Sequence, residues 1–208
     1  MKRTRIKICG LTRPQDVCSA VVAGSDALGF VFAPLSARRL EKEAARTLVR
    51  DVPAFIDRVG LFQDQEAEEV AGVLDQVPLN LLQFHGSESA EYCRQFGMPY
   101  IKAISMTDDD ALASAESEFE DAAGLVLDSH QIGKPGGTGV PFDWSGIRES
   151  ELPLVIAGGL NPSNVSQLVQ IYKPWAVDVS SGVESRPGVK DKTLVEKFIA
   201  EVERGNGH

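Results

Sequence analysis

Arg5-Ile6-Lys7-Ile8-Cys9-Gly10-Leu11-Thr12 is a short β-branched run that ends on a thiol and a glycine, just before a helix start. Alternation along an extended strand sets Lys7 and Cys9 on one face and Ile6 and Ile8 on the other. Thr12 is placed to cap the following helix, Pro14 falls early in its first turn, and Gly24 stops it after Ala23. From this stretch alone Cys9 reads in two ways. It is a small buried hydrophobe, as most free cysteines are, or it is a base or nucleophile, because a neighbouring cation such as Lys7 or a helix N-terminus eases its deprotonation.

Working outward, the same strand-then-helix unit recurs. Strands are expected at 26–32, 55–62, 79–85, 100–104, 124–128, 154–159 and 175–180. Helices are expected at about 40–50, 66–75, 87–96 and 108–119, near 144–148, from Asn161-Pro162, and at 192–203. Residues 205–208 read as a frayed tail. Parallel neighbours need a crossover, so this alternation argues for a parallel sheet. Eight units are the count of a (β/α)8 barrel, a TIM barrel; an open doubly wound sheet has no reason to stop at eight. No linker or shift in composition interrupts the chain, which therefore reads as one α/β domain over 1–208.

Composition excludes several classes of function. The 208 residues are 43% hydrophobic and 25% charged, as in an ordinary globular protein. Formal net charge is −9, with no basic cluster longer than Arg38-Arg39, which argues against nucleic acid or an acidic membrane as partner. There is no signal-peptide hydrophobic region and no apolar run long enough to cross a bilayer. Cys9, Cys18 and Cys93 are odd in number and lack zinc or CxxC spacing, which suits free thiols in a reducing cytoplasm.

In such a barrel the chemistry gathers at the carboxyl ends of the strands. That rule selects Cys9, His85, Asp128, Gly158-Gly159 and Ser180-Ser181-Gly182. The last two loops follow the seventh and eighth strands, where barrels often bind phosphate through exposed backbone N–H groups; the plain alternative is a pair of tight turns. Asp128 ends an apolar strand, where a carboxylate needs a reason to be. His85 is either a partner of the reacting groups or a satisfied histidine, and Arg38 either clamps a carboxylate or is simply solvated. The run Gly133–Gly139, with Gly137 and Gly139 among the candidate substrate contacts, matches no nucleotide fingerprint and reads as a mobile cover. By strand parity Lys7, Arg58, Gln83 and Asp178 point into the barrel as an ionic layer beneath the site, with Lys102 joining it or ending in solvent.

Taken together, these motifs resemble the phosphoribosylanthranilate isomerase family of tryptophan biosynthesis. The matching pieces are Lys7-Ile-Cys-Gly-Leu-Thr12, Gly29-Phe-Val-Phe32 with Pro34-Leu-Ser-Ala-Arg38, Arg58-Val-Gly-Leu-Phe62 and Leu82-Gln-Phe-His-Gly86. Leu127-Asp128, Gly136-Gly-Thr-Gly139 with Phe142-Asp-Trp144, Ala157-Gly-Gly-Leu-Asn-Pro162, Val177-Asp-Val-Ser-Ser-Gly-Val-Glu184 and Pro187-Gly188 complete the set. The departures are Ser129, where Thr or Ala is commoner, and Arg39, where an aromatic is frequent.

The resemblance implies an Amadori rearrangement of N-(5′-phosphoribosyl)anthranilate to 1-(2-carboxyphenylamino)-1-deoxyribulose 5-phosphate. It implies Asp128 as general acid on the ring oxygen, Cys9 as general base at C2′, Arg38 on the anthranilate carboxylate, and no metal or organic cofactor. The partner is then a small phosphorylated substrate, with the chain as monomer or homodimer. Two other readings are a histidine-pathway isomerase barrel and a non-catalytic phosphate-ligand barrel. Cys9 stands where the first would carry Asp, and the presence of both Cys9 and Asp128 counts against the second. Lys7 is expected to favour the Cys9 thiolate.

Overall fold

A computed structural model describes residues 3–105, 110–128 and 150–207. Eight parallel strands close into a barrel in sequence order: β1 (Arg5–Cys9), β2 (Ala27–Val31), β3 (Asp57–Phe62), β4 (Leu81–Phe84), β5 (Tyr100–Ser105), β6 (Gly124–Asp128), β7 (Leu154–Ile156) and β8 (Ala176–Val179). Closure is made by β1 pairing with β8, in a register that sets Lys7 opposite Asp178. The helices on the outside are α1 (Pro14–Ala23), α2 (Lys42–Arg50), α3 (Ala67–Leu74), α4 (Ala90–Arg94), α5 (Ala111–Glu118), α6 (Val165–Tyr172) and α7 (Lys192–Asn206). The expected alternation is therefore present, with strands and helices mostly shorter than their sequence patterns. Gly137, Gly139, the glycine-rich run and the helix expected near 144–148 lie outside the described residues.

Period-two patterning divides each strand between two cores. Ile6 and Ile8 are buried in the layer between barrel and helices, with Phe30, Phe62, Phe84 and Phe198. On the inner side Ile101, Ala103, Val126, Val155 and Ala176 fill the barrel, with Leu81 and Trp175 packed against them. The Arg5 guanidinium lies 3.7 Å from the Trp175 ring centroid, in cation–π contact. Nearer the carboxyl ends, Cys9, Val31, Ala33 and Leu61 form a smaller inner cluster. The lower barrel is thus packed with side chains, and a cavity opens at the mouth.

Several local expectations give way. Arg13 occupies the cap position of α1 with no side-chain cap bond, and the Thr12 hydroxyl instead donates to the Gly188 carbonyl in the Pro187-Gly188 turn. Arg58 does not enter the barrel. Leu61 faces inward, whereas a side chain at Gly60 would meet Leu79 and Phe62 on the outside, and half-buried Arg58 shares that outward parity. Lys102 neither joins the inner layer nor reaches solvent. It is buried outside the barrel, 3.2 Å from Glu88 Oε2. The expected frayed tail is helical as far as Asn206, where Gly207 adopts a left-handed φ of 88° and its N–H bonds the last carbonyls. Asn206 Oδ1 also accepts from Thr4 N at 3.1 Å, which ties the end of the chain to its beginning. After β8 the chain forms a 3₁₀ turn (Ser181–Val183) and an antiparallel ribbon, β9 (Glu184–Arg186) with β10 (Val189–Lys190), not expected from the pattern.

Candidate active site

The open end holds a cavity of about 650 Å³, lined by Cys9, Arg38, His85, Asp128, Gly158, Gly159, Ser180 and Ser181 among others. Residues distant in sequence meet here because each ends a barrel strand or begins its loop. Lys7 lies one layer below Cys9 on the same face of β1, with Nζ 2.7 Å from Asp178 Oδ2. Gly182 does not line the cavity. It is where the β8 loop packs against the backbone of Leu160 and Asn161, leaving no room for a Cβ.

Cys9 is buried, and its thiol feels opposing influences. Burial pushes its pKa up, the Lys7 ammonium pulls it down, Asp178 pushes it up and Lys190 pulls it down. The outcome lies above the ordinary thiol value: Lys7 favours the thiolate, as expected, but burial outweighs it. Lys7 itself is held protonated. Burial lowers its pKa, yet the neighbouring Asp178 and Cys9 together raise it above the ordinary amine value.

Across the mouth, His85 Nε2 lies 3.3 Å from Asp128 Oδ2, and Gln83 Nε2 lies 3.0 Å from His85 Nδ1. With Asp128 as a carboxylate the imidazole donates from Nε2, so Nδ1 accepts from the Gln83 amide. His85 therefore links a buried amide to the mouth carboxylate.

Arg38 is engaged by the protein itself. Its Nε and Nη2 donate to Glu184 Oε1 and Oε2 at 2.8 and 2.7 Å, a bidentate pair. Lys190 Nζ also donates to Glu184 Oε1 at 2.7 Å and to the Ser180 carbonyl at 3.1 Å. One carboxylate is shared by two cations, which leaves a net positive charge on this side of the cavity. Burial pushes the Glu184 carboxyl up, but the Arg38 hydrogen bonds and the Lys190 charge bring it below the ordinary carboxylate range. Lys190 was not picked out from the sequence. The Pro187-Gly188 turn that folds β10 back on β9 was its available signal.

Gly158 and Gly159 both take left-handed φ, 81° and 66°, a pairing that a residue with a Cβ resists. The Asn161 and Asn164 amides donate to the Gly159 carbonyl at 3.3 and 3.0 Å and so fix the loop. Pro34, Leu35, Leu61, Leu160 and Val179 add an apolar wall. Among the described residues no cluster of three or more His, Cys, Asp or Glu is placed to hold a metal ion, and no helix is long and apolar enough to cross a membrane.

A thiol beside an ammonium on one strand, a carboxylate on an imidazole across the mouth, and cations at one side suit proton transfer on a small anionic molecule. The class so defined is a (β/α)8-barrel enzyme with its chemistry at the carboxyl ends of the strands. Residues 6–201 match the family model of N-(5′-phosphoribosyl)anthranilate (PRA) isomerase. The chain belongs to that family. The N-(5′-phosphoribosyl)anthranilate isomerase of Halorhodospira halophila is 45% identical over 204 residues, spanning 98% of this chain and 99% of that protein. Among solved structures, a phosphoribosyl anthranilate isomerase in complex with reduced 1-(o-carboxyphenylamino)-1-deoxyribulose 5-phosphate superposes with a TM-score of 0.82 at 36% identity, over 97% of this chain and 99% of that one. Monomers generated from the dimeric enzyme of Thermotoga maritima give a TM-score of 0.82 at 34% identity, with the same coverage.

Proposed function

We propose that the protein catalyses the Amadori rearrangement of N-(5′-phosphoribosyl)anthranilate to 1-(2-carboxyphenylamino)-1-deoxyribulose 5-phosphate, the isomerase step of tryptophan biosynthesis. The observation that carries this reading is the meeting of Cys9 and Asp128 in one cavity, each at the end of its strand. Asp128 in its acid form gives a proton to the furanose ring oxygen. The C1′–O bond breaks, and the anthranilate nitrogen lone pair forms an iminium at C1′. Cys9 then takes the C2′ proton, and the released electron pair makes the C1′–C2′ double bond and neutralises the nitrogen. Proton return to C1′ and loss of the O2′ proton give the aminoketose. Abstraction next to an iminium needs a base, and the Lys7 and Lys190 charges work against the upward pull of burial to supply the Cys9 thiolate.

Binding groups are assigned to the two ends. Arg38, kept charged and oriented by Glu184, holds the anthranilate carboxylate, and the apolar wall takes the aromatic ring. Backbone donors at Gly158-Gly159 and Ser181 take the phosphate. Free thiols suit a cytoplasmic location: Cys9 and Cys93 are buried, Cys18 is exposed, and none forms a disulfide. The quaternary state is monomer or homodimer, which sedimentation decides. The function is tested by adding the enzyme to freshly made phosphoribosylanthranilate and following loss of its fluorescence. Conversion to the aminoketose is expected; an unchanged decay rate overturns the assignment.

A further inference from the structure

We infer that Asp178 on β8 and Gln83 on β4, both lining the cavity, form its hydroxyl-reading floor, accepting hydrogen bonds from the sugar chain and so selecting a hydroxylated substrate. The inference rests on the isomerase reading above and adds to it the recognition of the chain between the two anionic ends.

Asp178 and Gln83 both line the cavity, and both are buried, at 8% and 0% exposure. One Asp178 oxygen is tied to Lys7 Nζ, while Oδ1 has no hydrogen-bond partner. The Gln83 amide nitrogen faces His85, while Oε1 has no partner. Among the described residues three buried side-chain polar atoms are unpartnered, and two of them belong to residues that line this cavity, one from β4 and one from β8. Buried acceptors left unmatched are costly, and proteins rarely keep them without a use. Both atoms accept, so the ligand groups that suit them are donors. The Lys7 ammonium, hydrogen-bonded to Asp178 Oδ2 at 2.7 Å, also acts electrostatically on the Cys9 thiol above it on β1. A hydroxyl resting on Asp178 Oδ1 therefore sits in the same cavity as the Cys9 thiol. The middle of an open sugar chain offers such donors; a phosphate or a carboxylate does not.

The sites of Arg38 and the glycine loops read charge and would accept any linker of suitable length between two anions. The floor reads the linker, and a site built to hydrogen-bond hydroxyls rejects analogues that lack them. The test uses reduced 1-(o-carboxyphenylamino)-1-deoxyribulose 5-phosphate and two analogues, each lacking one hydroxyl of the carbon chain, titrated calorimetrically into the wild-type protein. At least one deletion is expected to weaken binding by about tenfold or more, the scale of one lost hydrogen bond to a charged group. In Gln83→Leu and Asp178→Asn, checked for folding by circular dichroism, the penalty shrinks to about threefold or less. Deoxy analogues binding wild type within about twofold of the parent overturn the inference, and that comparison needs no variant. If the parent binds and Arg38→Ala weakens it while hydroxyls go unread, the floor fails and the isomerase reading stands. If the parent itself does not bind, both fail.

Discussion

Two buried lysine–carboxylate pairs lie on opposite sides of the barrel wall, and they differ in what their carboxylates are left to do. Outside the wall, Glu88 uses both oxygens: Oε1 accepts from Asp64 N at 2.8 Å, and Oε2 accepts from Gly86 N at 2.8 Å and from Lys102 at 3.2 Å. Lys102 also donates to the Gly86 and Ala103 carbonyls. Inside, Asp178 binds Lys7 through one oxygen and presents the other to the cavity without a partner. Burial does not separate the pairs, because all four side chains are nearly inaccessible. Saturation does. A pair that closes on itself and on nearby backbone pins a loop, here the one that follows His85. A pair that keeps an acceptor open at the mouth serves a ligand.

Breaking the outer pair gives the largest effect expected on stability. Lys102→Met leaves Glu88 buried without its cation and should cost about 3–5 kcal/mol in chemical denaturation. The kcat of the folded fraction should stay close to wild type. A variant of unchanged stability would mean that the outer pair pins nothing.

Removing Arg38 tests the charged side of the mouth. Arg38→Ala should raise KM by about 10–100-fold, as expected for a lost charge-assisted hydrogen bond, with kcat nearly unchanged. Glu184 retains Lys190 in that variant, so the loop keeps a tie. A change confined to kcat would remove Arg38 from carboxylate binding.

The inner pair is sharpened by titration. Because burial and Asp178 raise the Cys9 pKa while Lys7 and Lys190 lower it, Lys7→Met should move the midpoint of pH-dependent Cys9 alkylation further up. A downward shift would show that Lys7 does not act on the thiol. The pair also has a stability window with a definite sign. The folded pKa of Lys7 is raised, so its contribution is complete below the unfolded lysine value, about 10.4, and is lost as pH rises through the higher folded value.

The smallest effect concerns salt. Exposed charges are screened within a Debye length of about 8 Å at physiological ionic strength, and site contacts much less. Chloride should therefore change kcat/KM weakly despite the net charge of −9. Inorganic phosphate at equal ionic strength should compete visibly. Equal inhibition by the two salts would leave the glycine loops without a phosphate role.

The parts legible in the sequence were those with local signals. Period-two patterning placed Cys9 and Lys7 on the inner face of β1, and eight repeats of strand and helix gave the barrel. Glycine pairs marked the loop after β7. What stayed hidden depended on contacts between distant segments. Gly60 has no side chain to mark its face, so Arg58 inherited the wrong parity. Lys102 finds Glu88 only once β5 lies beside β4. The Arg38–Glu184–Lys190 cluster needs β9 and β10 folded back over the mouth. The thiol's response to burial depends on its depth in the barrel, which strand pattern does not encode.

The central claim is that Cys9 and Asp128 move the protons of the rearrangement. It is tested by single-turnover fluorescence with enzyme in excess over phosphoribosylanthranilate, comparing wild type, Cys9→Ala and Asp128→Asn. Both variants should remain folded and still bind the reduced product. Each should consume substrate about 10²–10⁴-fold more slowly, the usual contribution of a general acid or base. A rate within about tenfold of wild type in either variant would contradict the claim for that residue.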